Sequence, residues 1–178
     1  MVLKKIIITG SQGTGKSTLL KYMSNEYCVA KEVSREVIIE QQLINASATP
    51  WLDIEEYSNI VLERMIEQYK NQKSEICIYD RAIPDVIAYL KLKNKEVPSH
   101  FYEASKKHLK GATVFFTPLW KEIYKTDLQR PESYNETIII SRLIRETYKQ
   151  LGFEIIDLFK ENIEKRYKFV DTIIKRNI

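Results

Sequence analysis

The segment Gly10-Ser11-Gln12-Gly13-Thr14-Gly15-Lys16-Ser17 stands directly behind the apolar run Leu3 to Ile8 and leads into the helical run Thr18 to Met23. Strand, glycine-rich loop and helix in that order make a receptor for phosphates. Glycines at 10, 13 and 15 let backbone N–H groups turn inward without Cβ clashes, and the helix that starts near Lys16 adds the positive end of its dipole. Lys16 can reach the β- and γ-phosphates of a bound triphosphate. The Ser17 hydroxyl is set to ligate the accompanying Mg2+, with Thr18 beside it as a helper. The pattern implies a chain that binds nucleoside triphosphates.

Composition narrows the rest. The 178 residues, 44% hydrophobic and 29% charged, suit one well-cored domain over 1–178, and five glycines with five prolines leave no linker, repeat or low-complexity stretch. Val2-Leu3 is followed at once by Lys4-Lys5, so no signal peptide is expected, and no run approaches the length of a membrane span. Cys28 and Cys77 sit among apolar neighbours in expected strands and read as buried, reduced thiols, which points to the cytoplasm. The formal charge is only +4, with lysines and glutamates interspersed, and this argues against nucleic-acid binding. Tyrosines at 57, 69, 102, 148 and 167 fall on amphipathic helices, where half-buried packing is the expected role.

Five short apolar runs alternate with helical ones: Leu3–Ile8, Tyr27–Val33, Ile76–Tyr79, Thr113–Thr117 and Phe153–Ile156. Ser34 is the expected cap of a helix from Arg35 to Leu43, and Asp53 or Thr49-Pro50 starts a longer one with apolar residues at 54, 57, 61, 62, 65 and 69. Further helices are expected from Asp85 to Leu92, after Pro98, from Ile138 to Leu151 and from Ile163 to Ile174, with a polar connection, 118–134, between. Such alternation predicts an α/β fold of three layers, a five-stranded parallel sheet with helices on both faces. Ligands of such sheets gather at the carboxyl ends of the strands. There the sequence would bring together the glycine loop, Glu32, Asp80, Arg81, Thr117 and Asp157.

Each of these carries a candidate role. Asp80 ends an apolar strand as the acidic partner of Ser17 for the metal and borders the acceptor site. Arg81 beside it can hold an acceptor group and offset charge developing on a transferring phosphoryl. Glu32 is the candidate base for an acceptor hydroxyl, with Glu36 as the other possibility, and Arg35 can bind the acceptor's polar groups. The charged stretch 118–134 has the makeup of a lid, in which Lys125 and Arg130 would close over the γ-phosphate. Trp51, Tyr57 and Tyr89 are candidates for lining the acceptor pocket.

Gly10 to Thr18, Glu32 with Arg35, Asp80-Arg81, and Asp127 with Arg130 together resemble the P-loop ATPase/kinase family that includes the kinase domain of nicotinamide riboside kinase and related AAA-like proteins. That family is itself similar to deoxynucleoside and nucleoside monophosphate kinases. The resemblance implies a five-stranded parallel sheet, a lid, Mg-ATP as donor and a nucleoside-like hydroxyl as acceptor. No Asn-Lys-x-Asp segment for reading guanine is present, so ATP rather than GTP is the expected donor. A AAA+ motor, with its larger helical lid domain, is not expected. The rival reading is an ATP-dependent binding module or switch, whose lid responds to nucleotide without transferring a phosphoryl group.

Overall fold

The computed structural model describes residues 4–124 and 133–176. Strands β1 (Lys4–Thr9), β2 (Cys28–Ala30), β3 (Ile76–Asp80), β4 (Thr113–Phe116) and β5 (Ile155–Asp157) form one sheet in the order β2-β3-β1-β4-β5, and every pairing is parallel. The helices are α1 (Lys16–Met23), α2 (Val33–Leu43), α3 (Ile54–Asn71), α4 (Ile83–Leu92), α5 (Ser99–His108), α6 (Tyr134–Gln150) and α7 (Ile163–Arg176).

The period-2 alternation of the strands divides the core in two. Ile7, Cys77, Tyr79, Val114 and Phe116 pack against α2 to α6, while Ile6, Ile8, Ile78 and Phe115 pack against α1 and α7. Burial of both faces is why the strands read as near-continuous apolar runs. The three-layer architecture expected from the sequence is therefore present. Among the described residues no helix is long and apolar enough to cross a membrane.

Local signals set most helix boundaries. Asp53 accepts a hydrogen bond from the Glu56 amide at 3.0 Å and so caps α3, whose buried face is Ile54, Tyr57, Val61, Leu62, Met65 and Tyr69. Helix α6 begins four residues earlier than its apolar run suggested. Ser133 and Glu136 form a reciprocal cap there, the Ser133 N–H donating to the Glu136 carboxylate at 2.7 Å and the Glu136 N–H to Ser133 Oγ at 3.3 Å. Second, β2 keeps only three of the seven residues expected, and Glu32 rather than Ser34 is the residue before α2. Its carboxylate faces Arg35 and Arg81, so no side chain caps that helix.

Both cysteines are free, as expected, but only one of them is buried. Cys28 opens the edge strand and is exposed, Cys77 is buried opposite it in register, and their sulfurs lie 3.3 Å apart. Partial burial disfavours the Cys28 thiolate, but hydrogen bonds from Gln72, Cys77 and Ser74 outweigh that and hold the thiol below its ordinary range; burial pushes Cys77 up to about 12. Iodoacetamide at pH 8 is accordingly expected to label Cys28 and leave Cys77 untouched until the protein is unfolded. Peptide mass mapping checks this, and equal labelling of both in the native protein would contradict it.

Candidate functional site

The loop between β1 and α1 curls under the start of the helix. Thr117, just after β4, holds its entry: its N–H and hydroxyl both donate to the Thr9 carbonyl, at 2.8 and 2.9 Å, and its Oγ1 lies 2.7 Å from that of Thr14. Gly10 is required at this crossing. It sits at φ +133°, and a Cβ there would come within 2.8 Å of the Thr117 carbonyl oxygen. Lys16 is buried, with its ammonium turned back into the loop, donating to the Ser11 carbonyl at 2.5 Å and lying 3.4 Å from Thr14 Oγ1. Ser11 keeps a buried hydroxyl that has no hydrogen-bond partner among the described residues. Ser17 and Thr18 are exposed on the first turn of α1.

A second group of charges lies beside this loop, at the carboxyl end of β3. Asp80 closes that strand opposite Ile8, and Arg81 follows in the left-handed region at φ +67°, a conformation costing a residue with a side chain about 1 kcal/mol. Tertiary contacts hold it there. The Arg81 N–H donates to the Ile8 carbonyl at 3.1 Å, and Nη1 donates to the Gly10 carbonyl at 3.0 Å, tying the residue to the loop. Nη1 lies 3.2 Å from Asp85 and Nε 3.6 Å from Glu32, while the guanidinium carbon stands 5.9 Å from the Tyr89 ring centre. Burial disfavours the Arg81 charge, but Tyr89, Asp85, Glu32 and Asp80 together hold its pKa above the ordinary arginine range.

Sequence reasoning treated Asp85 only as a helix start. It is a buried hub that receives the Thr9 hydroxyl at 2.5 Å, the Tyr148 hydroxyl at 2.7 Å, the Ala82 N–H at 3.0 Å and Arg81. Four donors satisfy its two oxygens, so the carboxylate fixes the Arg81 Nη1 while Glu32 meets its Nε. Tyr148, expected to be half-buried, is fully enclosed by this arrangement.

Beyond Arg81 opens a cavity of about 390 Å³. Glu32, Arg35, Arg81 and Asp85 form its polar end, and Trp51, Tyr57 and Tyr89 lie on its walls. The structure thus brings together the acceptor-site candidates Glu32, Arg35 and Arg81 with all three aromatics. Glu36 is set apart, 3.5 Å from the exposed Lys31. Asp157, expected at the crevice, is exposed and forms an ion pair with Arg145 of α6 instead. In the expected lid, 121–123 form one 3-10 turn and 134 already belongs to α6, whereas Lys125, Asp127 and Arg130 lie outside the described residues.

A family model described as an AAA domain matches residues 5–166. No curated protein matches the chain. Among solved structures, deoxyadenosine kinase from M. mycoides, with products dCMP and dCDP bound, superposes with a TM-score of 0.68 at 16% identity, covering 98% of this chain and 100% of its own. Thymidylate kinase from Ehrlichia chaffeensis gives 0.63 at 15% identity, over 98% of this chain and 100% of that one. NadR protein in complex with NAD and AMP-PNP gives 0.65 at 15% identity over 97% of this chain, which spans only 49% of NadR. Identities this low establish likeness of fold, and the fold is that of the P-loop kinases. With the family match running from β1 into α7, the chain belongs to this AAA-domain family of P-loop proteins.

Proposed function

We propose that the protein is a Mg-ATP-dependent kinase that phosphorylates a hydroxyl or phosphate of a small nucleoside-like acceptor. The observation that carries this reading is the continuity of loop and cavity through Arg81, which donates to the Gly10 carbonyl of the loop while lining the cavity. A phosphoryl group on the loop and an acceptor in the cavity would both lie within reach of one buried cation. The cavity's size and its mix of aromatic walls with a charged end suit a planar base carrying a polar sugar.

In this reading the loop amides and Lys16 bind the triphosphate, and Glu32 takes the proton from the attacking hydroxyl. Arg81 stabilises charge on the transferring group, Arg35 orients the acceptor, and Arg130 closes from the lid. Ser17 and Asp80 supply oxygen donors of the kind Mg2+ prefers. Among the described residues no three His, Cys, Asp or Glu side chains are placed to hold a metal ion by themselves, so such an ion would draw most of its ligands from phosphate oxygens and water. When bound, the metal neutralises phosphate charge.

The test is ADP release with Mg-ATP, alone and across nucleosides, nicotinamide riboside and nucleoside monophosphates, with Lys16→Ala as control. A nucleoside that stimulates release and is recovered phosphorylated supports the kinase. Slow, Lys16-dependent hydrolysis indifferent to every acceptor would replace it with the nucleotide-dependent switch.

A further inference from the structure

Lys16 and Arg81 are not the only buried cations at this end of the molecule. Arg166, in the first turn of α7, is 2% exposed and reaches the loop from 152 positions beyond Thr14. Its Nη1 donates to the Thr14 carbonyl at 3.2 Å, and a Cβ on Gly15 would come within 2.8 Å of the same nitrogen. Gly15 itself is the left-handed residue at φ +79° that precedes α1. The glycine therefore leaves room for an arginine as well as for the loop's turn.

The environment of Arg166 differs from that of Arg81 in one respect. Arg81 has Glu32 and Asp85 against it, whereas among the described residues no carboxylate pairs with Arg166, and its Nε and Nη2 have no hydrogen-bond partner. Burial alone shifts its pKa, downward. A guanidinium taken out of water with a single carbonyl as partner is unfavourable, and such charges are normally retained where an anion meets them. The loop beside it, glycine-rich and leading into a helix N-terminus, is built to receive a polyanion.

We propose that Arg166 is a ligand of the donor nucleotide, its guanidinium meeting the negatively charged phosphates on the loop from the α7 side. This rests on the nucleotide-binding reading above. It gives α7 a part in donor binding, with Arg166 bound to the loop before the nucleotide arrives, so that little side-chain freedom is lost on binding. The chemical class it selects is a nucleoside di- or triphosphate rather than an uncharged nucleoside.

Arg166→Met keeps the side chain's length and removes the charge. Isothermal titration with ATP and with ADP, together with the melting temperature of each ligand-free protein, separates a ligand from a structural brace. The expected result is a Kd for both nucleotides raised about 10- to 100-fold, the effect of losing one charged hydrogen-bonding partner. The ligand-free variant should melt at or above the wild-type temperature, since an unpaired buried charge has been removed. Arg166→Lys should recover part of the affinity. A variant that binds ATP within twofold of wild type overturns the proposal, as does a weakened affinity accompanied by a clear fall in ligand-free melting temperature, which marks a brace. Wild-type protein that binds neither ATP nor ADP would overturn the nucleotide reading as a whole, a result distinct from either.

Discussion

Glu32→Gln is expected to lower acceptor turnover by about 10²- to 10⁴-fold, the range for loss of a general base. The substitution keeps the side chain's shape and an oxygen facing Arg81 Nε, now 3.6 Å from Glu32, while removing the proton acceptor. Affinity for ATP should change little, because Glu32 lines the acceptor cavity while the loop itself is shaped by Ser11, Thr14 and Lys16. Glu36→Gln serves as the comparison, since its carboxylate is engaged with exposed Lys31. Steady-state kinetics with the acceptor found by the ADP-release screen decides the matter. Loss confined to the acceptor's KM would make Glu32 a binding residue, and an equal loss in Glu36→Gln would move the base to that position.

The parts of the molecule legible in its sequence are those whose causes are local. The phosphate loop is specified by glycines within a few residues of one another, and the α3 cap by Asp53 and the amide three residues on. The Ser133–Glu136 cap was equally local, but it lay inside a stretch that polarity marked as a connection, so the start of α6 was misjudged. Position at a strand end was enough to bring Glu32, Asp80 and Arg81 to one edge of the sheet. It was not enough for Asp157, whose nearest cation, Arg145, comes from a helix packed beside it.

What could not be read is what depends on distant partners. Asp85 receives hydroxyls from Thr9 and Tyr148, 76 and 63 positions away, and Arg166 meets the loop from 152 positions away. No periodicity or motif encodes such meetings. They follow from the strand order, which sets β1 beside both β3 and β4 and lets α6 close over α4. Cys28 shows the same limit: its neighbours are apolar in sequence, yet its strand lies at the sheet edge and leaves the thiol exposed.

Asp85→Ala is expected to cost about 3–5 kcal/mol of folding stability, the range for breaking a buried ion pair from one side. The reason is what remains behind: the hydroxyls of Thr9 and Tyr148 and the Ala82 N–H lose their acceptor, and Arg81 keeps the Gly10 carbonyl but exchanges its closer carboxylate for the longer contact to Glu32. In urea this should appear as a midpoint lowered by about 1 M or more with an unchanged slope. A shift under about 0.3 M would show that the four donors find other partners, and the hub would lose its role. Stability and chemistry can then be separated at the same carboxylate. Replacing both members, in Arg81→Met with Asp85→Leu, removes the buried charge together with its counter-charge and should regain much of the lost stability. It should regain none of the turnover, because the cation that joins loop to cavity is gone. A double variant as active as the wild type would mean that Arg81 is retained for folding alone, and the acceptor site would then have to be built from Glu32 and Arg35 without it.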